Sequence, residues 1–379
     1  MCVSAGINKE RLIQTFIDLI QIDSPSFLEN KISEYLKQRL VNLGFDVRFQ
    51  QYDRSLNLMA IKKGKQKSVP LMLSAHMDTI ESTAGIEFIR ERDRIRSTGK
   101  TVLGADDKSA LAQIIEAMSV AGETDAQLGD IEIVFSSAEE QGLHGARNLD
   151  FRSIRSRHAL VLDSGGSVGA IVIGAPTHVR YTMNVTGRSA HAGIEPETGI
   201  SAIRVASEII TRVPDGRIDK DTTANIGIVH GGTATNVVPR ESVIQGEMRS
   251  HSRKSLEDTR RAIFGTAERI AKMRGAAISI EKDIEYTSFK IRKEEPFLKF
   301  MMTVFRKCGV EPCLKKTGGG SDANVFHQHG IMAVNISNGM QKVHSPEEFI
   351  MIDDLVKGCE VVLQSVRDFS SFKKKYCAS

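Results

Sequence analysis

Residues 131–142 read IEIVFSSAEEQG. An apolar run of strand length passes straight into two adjacent glutamates, Glu139 and Glu140. Ile131, Ile133, Val134 and Phe135 show little alternation, which predicts a strand covered on both faces, as in a mainly parallel sheet flanked by helices. Neighbouring residues of an extended segment point to opposite sides, so two carboxylates here predict two different roles.

The same pattern recurs outward from this stretch. FDVRF, LNLMAI, VPLMLSA, HALVLDS and MAVNIS are short apolar runs of the same kind. Helices are predicted between them. Leu12, Phe16 and Leu19 recur at helical spacing, as do Ile13, Ile17 and Ile20. ENKISEYLKQRLVNLG places Leu36, Leu40 and Leu43 on one face and ends on Gly44. DDKSALAQIIEAMSVAG carries Leu111, Ile114, Ile115 and Met118. The expected fold class is α/β, a mixed, mostly parallel sheet flanked by helices.

From Thr177 the pattern changes. HVRYTMNVTG alternates, a helix follows through SAIRVASEIITRV, and TTANIGIVHGG and ESVIQGEMRSH read as strands. A long helix, SLEDTRRAIFGTAERIAKMRG, is expected to start with Ser255 and Asp258 as a capping box. AAISIEKDIEYTS closes a βαββαβ order, the ferredoxin-like split unit. The helix EEPFLKFMMTVFRKCG and the strand MAVNIS then resume the first pattern. An α+β domain over 177–293 is therefore expected to be inserted into an α/β domain built from 1–176 and 294–379.

Composition narrows the function classes. The 379 residues, 41% of them hydrophobic, suffice for a large core, and a net charge of +4 is small for this length. Lys and Arg are interspersed with Asp and Glu, so no nucleic-acid footprint is expected. The one basic run, Lys373-Lys374-Lys375, reads as a solvated tail end. Five scattered cysteines lack structural-zinc spacing and predict free thiols in a reducing compartment. No basic region leads an apolar core at the start, and no apolar run approaches about 18 residues. A soluble cytoplasmic protein without a membrane partner is expected.

Chemistry collects at the predicted strand ends. LMLSAHMDT ends with His76 and Asp78, IVFSSAEEQG with Glu139 and Glu140, and ALVLDSGG with Asp163. GADDKS puts Asp106 and Asp107 at a helix start, and QKVHSPEEF puts His344 just after the last strand. In open α/β sheets ligands bind beyond the carboxyl ends of the strands. Carboxylates gathered there repel unless cations sit among them. Two imidazoles with several carboxylates suit zinc, with Co or Mn as substitutes. So many ligands suggest two ions sharing a bridging carboxylate, with one carboxylate left unligated as general base. Asp78, two residues beyond His76, can orient that ring. Gly318-Gly319-Gly320 lacks the Gly-Lys-Ser/Thr of a phosphate loop.

SAHMDT, GADDKSALA, SSAEEQGLHGA, LDSGG, GRSAHAG, GGTATNVVP and HSPEEF, in this order, resemble the co-catalytic zinc peptidases of the peptidase T, aminoacylase and desuccinylase superfamily, most nearly its peptidase T-like aminotripeptidases. The resemblance spans nearly the whole chain. It implies a catalytic di-zinc domain, two Zn2+ per subunit, and a homodimer formed through the inserted dimerisation or lid domain. It implies that His76 and Asp163 bind one zinc, His344 and Glu140 the other, and that Asp106 bridges them. Glu139 is then the general base, and Asp78 orients His76. His191 would polarise the scissile carbonyl, and Asn236 and Arg249 would hold a substrate carboxylate. The stretch through Gly319, Gly320 and Ser321 resembles the substrate-pocket loop. The implied activity is zinc-dependent aminopeptidase action on short peptides, with deacylation of N-acyl amino acids or dipeptide cleavage as the alternative.

Overall fold

The computed structural model describes residues 6–66 and 69–372; the Lys373-Lys374-Lys375 run lies outside them. The chain divides into two compact units, one of residues 1–174, 290–317 and 321–379, the other of 175–289 and 318–320.

The larger unit is built on one mixed sheet. Its middle consists of four parallel neighbours: Ile131–Ser136, Leu71–His76, His158–Ser164 and Met332–Ser337. Antiparallel strands extend both sides: Ser55–Lys62 and Asp46–Tyr52 beyond Ile131–Ser136, and Ala170–Ala175 beyond Met332–Ser337. Every residue of Leu71–His76 and Ile131–Ser136 is buried, which explains why these runs lack alternation. Because the four central strands run the same way, their carboxyl ends share one edge. That edge receives His76, Asp163 and the loops that begin at Ser137 and Asn338.

The helix Ala105–Glu123 packs on Leu71–His76 and lies against the helices Lys9–Ile20 and Ile352–Phe369. It is buried on nearly every face, so its few polar side chains need internal partners. Gln113 donates to the carbonyls of Asn338 and Leu355. Glu116 accepts from the Arg11 guanidinium at 2.6 and 2.9 Å. Each fully buried Leu or Ile of this layer contributes about 1.5–3 kcal/mol. No helix among the described residues is long and apolar enough to cross a membrane. Among those residues Cys308, Cys313 and Cys359 form no disulfide.

The smaller unit has a five-stranded sheet with two helices, Ala202–Arg212 and Arg253–Met273. Thr222–Gly231, Glu241–Ser250, Thr177–Thr186 and Ala277–Tyr286 lie in that spatial order, all antiparallel. This is the βαββαβ arrangement with one short extra strand, Gly216–Asp219, at the edge. Met183, Ile209, Ile244 and Ile263 are fully buried between sheet and helices.

The structure corrects one local expectation. Ser255 and Asp258 do not cap the long helix; both lie inside it. The N-cap is Ser252, whose side chain accepts from the Ser255 amide at 3.2 Å. The SxxD spacing suited a cap, but the chain enters the helical conformation three residues earlier, where Ser252 has extended backbone (φ −115°). Ser252→Ala is therefore expected to lower stability by about 1 kcal/mol in urea unfolding. Asp258→Ala, which loses only an exposed pairing with Arg261, should stay within about 0.5 kcal/mol.

Candidate metal centre

The strand ends bring the acidic and imidazole side chains of the larger unit together. Asp106 lies between two histidines. Its Oδ1 is 3.0 Å from His76 Nε2, and its Oδ2 is 3.3 Å from His344 Nε2. His344 Nε2 is also 2.8 Å from Glu140 Oε1. Ligand atoms of His76, Asp106 and Glu140 lie within 4.8 Å of one another, and so do those of His76, Glu139 and Asp163. Two donors about 2.0–2.1 Å from a shared tetrahedral ion are about 3.3 Å apart, so these spacings fit metal coordination.

The electrostatics point the same way. Burial alone would lower the His76 pKa, but Asp106 and Asp78 more than offset it and raise it well above the usual histidine range. Burial would raise Asp106, yet the hydrogen bonds from His344 and His76 win and hold it low. His344, between Asp106 and Glu140, is lifted to about 10. Glu139 and Asp163 are pushed well above the carboxylate range, by burial first and then by nearby carboxylates, Asp163 and Glu140 for Glu139 and Asp106 and Asp107 for Asp163. Glu140 is raised by burial, against the pull of His344. Burial and neighbouring carboxylates thus disfavour the charged forms of Glu139, Glu140 and Asp163, while Asp106 is held low by its two imidazoles.

Asp78 plays a broader part than expected. His76 Nδ1 makes its hydrogen bond to the Asp78 carbonyl, at 3.0 Å, while the Asp78 carboxylate is 3.4 Å away. That carboxylate instead accepts from the amides of Glu139 (3.0 Å) and Glu140 (3.2 Å) and from the Ser26 hydroxyl (2.7 Å). It therefore ties the end of one strand to the turn after its neighbour.

Several residues that the sequence reading left unassigned support the cluster. Glu29, fully internal, accepts from the Ala138 amide at 2.8 Å and from Ser55 Oγ at 3.0 Å. Ala138 has φ +47°, an uncommon conformation for a side-chain-bearing residue, and it directs the next two glutamates. Gly145 fits only as glycine, since a Cβ there would lie 2.2 Å from the Ser137 carbonyl oxygen. Asp107 takes the His76 amide (3.2 Å) and Asn338 Nδ2 (2.7 Å), and the latter also donates to Leu162. Asp322 is buried near His76, accepts from Ser136 Oγ, and is lifted by burial to about 6. Ala138, Gly145 and Asp107 lie inside the quoted motifs, which was the only sequence signal for them.

The remaining expected site residues belong mostly to the smaller unit. The Ala192 amide donates to the Asn236 carbonyl at 2.9 Å, and His191 bridges Val237, so His191 and Asn236 are neighbours there; both are exposed. Arg249 is held by a two-point pairing with Glu247 (2.9 and 3.0 Å). Glu247 also bonds His178 Nε2 at 2.9 Å, and His178 Nδ1 contacts Glu285 at 2.7 Å. Gly320 packs on the Tyr286 ring, which a Cβ would meet at 2.3 Å. Gly319 adjoins it in the same loop. Ser321, in the larger unit, forms a capping box with Asn324 at the helix Asp322–Gln328.

Residues 57–171 match the family described as peptidase family M28, and residues 173–273 match the peptidase dimerisation domain. The aminopeptidase PepT of Bacillus cereus is 36% identical, with 96% of this chain and 99% of that chain covered and a TM-score of 0.85. A tripeptidase of Staphylococcus aureus is 32% identical at the same coverages of 96% and 99%, with a TM-score of 0.90. The peptidase T of Escherichia fergusonii is 28% identical over 274 residues, covering 71% of this chain and 66% of that protein.

The His178 pairing makes a pH prediction. Burial would lower His178, but Glu247 and Glu285 outweigh it and raise its pKa above 6.5, against the nearby charge of Arg249. A raised folded-state value stabilises fully below the unfolded pKa and is lost as pH rises through the folded one. His178→Gln should therefore lower the melting temperature most below pH 6.5, with the gap to wild type narrowing as pH rises through the folded-state value. Melting curves of both proteins across this range check the sign.

Proposed function

We propose, since this chain belongs to the peptidase T-like peptidases, whose inserted unit is the dimerisation domain of the M20 type, that the cluster around Asp106 holds two divalent ions and serves an aminopeptidase of short peptides, a tripeptidase. Membership makes the chain a peptidase, a hydrolase of amide bonds. The observation that carries the metal reading is the Asp106 carboxylate, which turns one oxygen to each of two imidazoles. His76 and Asp163 would hold one ion and His344 and Glu140 the other, with Asp106 shared. The mixed imidazole and carboxylate donors favour zinc, with Co2+ or Mn2+ as substitutes.

Bound there, the ions would supply Lewis acidity, acidifying water and polarising the scissile carbonyl. The proton work falls to Glu139. It takes a proton from the attacking water as the oxygen–carbon bond forms, and returns it to the amine nitrogen as the carbon–nitrogen bond breaks. Its buried surroundings raise its pKa, which suits a group that must hold that proton between the two steps. Asp78 keeps the Glu139 and Glu140 amides in place, so base and ligand share one rigid turn. By resemblance to the family, His191 would donate to the developing oxyanion, a contribution of about 3–4 kcal/mol in enzymes that use one donor this way. Arg249 and Asn236 would hold a substrate carboxylate, and the loop through Gly319, Gly320 and Ser321 would line the pocket. The inserted unit would form the homodimer.

Two variants and a digest test this reading. Glu139→Gln should keep its metal content by mass spectrometry and lose about 10²–10⁴-fold in turnover. Glu140→Ala should lose an ion. An active Glu139→Gln protein would remove that residue as base. Wild-type protein incubated with mixed peptides, with and without chelator, should release single N-terminal residues from tripeptides only when metal is present. Faster turnover of N-acetyl or N-succinyl amino acids would assign a deacylase instead.

A further inference from the structure

Glu348 has no role in the chemistry set out above, yet it is only 1% exposed and carries a carboxylate. Its two oxygens are spent on another part of the chain. Oε2 accepts from the Gly104 amide at 2.8 Å, and Oε1 from the Asp106 amide at 2.9 Å. Those amides belong to the kinked segment that leads into the regular helix, where Gly104 is left-handed (φ +76°) and Asp106 (φ −80°, ψ 103°) and Asp107 (φ −120°, ψ 25°) are not helical, so they have no helical or strand ladder to join. A glutamate more than two hundred residues away in the sequence accepts both and so fixes the kink. The backbone of Glu348 is held as well: its amide donates to Ser345 at 3.0 Å, and its carbonyl accepts from Ser97 at 3.1 Å.

The consequence lies in what each end of this strut carries. One end is the Asp106 backbone, and the Asp106 carboxylate faces His344 at 3.3 Å. The other end is the loop that bears His344, four residues before Glu348. His344 itself has φ +60° and a half-exposed ring, so its placement depends on how that loop is anchored. The path from His344 along the loop to Glu348, across to the Asp106 amide and back through the Asp106 carboxylate is a closed ring. His76 stands outside it, held through Asp78 and Asp107.

We propose that Glu348 is a positioning residue for the metal site on the His344 side, setting the separation of Asp106 and His344 that lets one ion bind both. This rests on the dinuclear reading above. Both oxygens face a donor, so a carboxamide, with one acceptor and one NH2, would turn a donor toward a donor. Aspartate keeps the charge but falls one methylene short.

Glu132 provides a matched control. It is also a buried glutamate that accepts backbone amides, those of Arg155 (3.1 Å) and Ser156 (2.9 Å), but it sits at the opposite end of the strand Ile131–Ser136. The test loads full-length wild type, Glu348→Gln, Glu348→Asp and Glu132→Gln with zinc or cobalt. Bound metal is counted by mass spectrometry, and cobalt is titrated by its visible spectrum. Wild type and Glu132→Gln should take up two ions with the same affinities. Glu348→Gln should keep one tight ion and bind the second about 10–100-fold more weakly, with turnover restored at high metal. Glu348→Asp should fall between them, and it carries the test if the glutamine variant does not fold. Two ions at wild-type affinity in the Glu348 variants would overturn the inference alone, as would equal weakening in Glu132→Gln. A wild type that binds fewer than two ions would overturn the dinuclear reading and the inference with it.

Discussion

The Asp106 carboxylate is buried with one oxygen 3.0 Å from His76 and the other 3.3 Å from His344, among Glu139, Glu140 and Asp163. Taking so many acids out of water is costly, and each charged neighbour makes the next ionisation harder. Two imidazoles offset part of this, which is why Asp106 stays low while Glu139 and Asp163 are driven up. The imbalance that remains is what cations would relieve. The parallel centre of the sheet creates it, since four strands that run the same way deliver their following residues to a single edge.

Around the cluster lies a layer of side chains that grip backbone rather than ligand atoms. Asp78 takes the amides of Glu139 and Glu140, Glu29 that of Ala138, Asp107 that of His76, and Glu348 those of Gly104 and Asp106. Leaving such a buried amide without its acceptor would cost about 1–3 kcal/mol. These hydrogen bonds also hold turns that the chain would not choose alone, such as that at the left-handed residue Ala138. A cluster whose members sit on loops acquires the rigidity of the sheet in this way.

Much of this was legible in the sequence, and the reasons differ by element. The buried strands showed themselves because a strand covered on both faces tolerates few polar residues. The inserted unit showed itself as a change of period at Thr177, where runs give way to alternation. The ends of IEIVFSSA, LMLSAH and ALVLDS marked where acidic and imidazole side chains gather, because polar residues abruptly follow apolar ones. The start of the long helix was misread, since Ser255-x-x-Asp258 has cap spacing while Ser252 has the cap conformation. Glu29 and Glu348 were not singled out, and Asp107 was placed at a helix start without a role. A glutamate that accepts backbone amides has the same letter and surroundings in the sequence as one that faces water.

The order of residues by itself determined which segments become strands and helices, and which side chains stand at strand ends. Those depend on period, on burial and on neighbours within a few positions. Tertiary structure decided which carboxylate turns toward which imidazole, and which acids are spent on amides instead. Glu348 meets Asp106 and Glu29 meets Ala138 only after segments distant in sequence have packed. Such partnerships depend on distances of about 3 Å that no local pattern encodes, because hydrogen bonds weaken steeply with small errors in angle and separation.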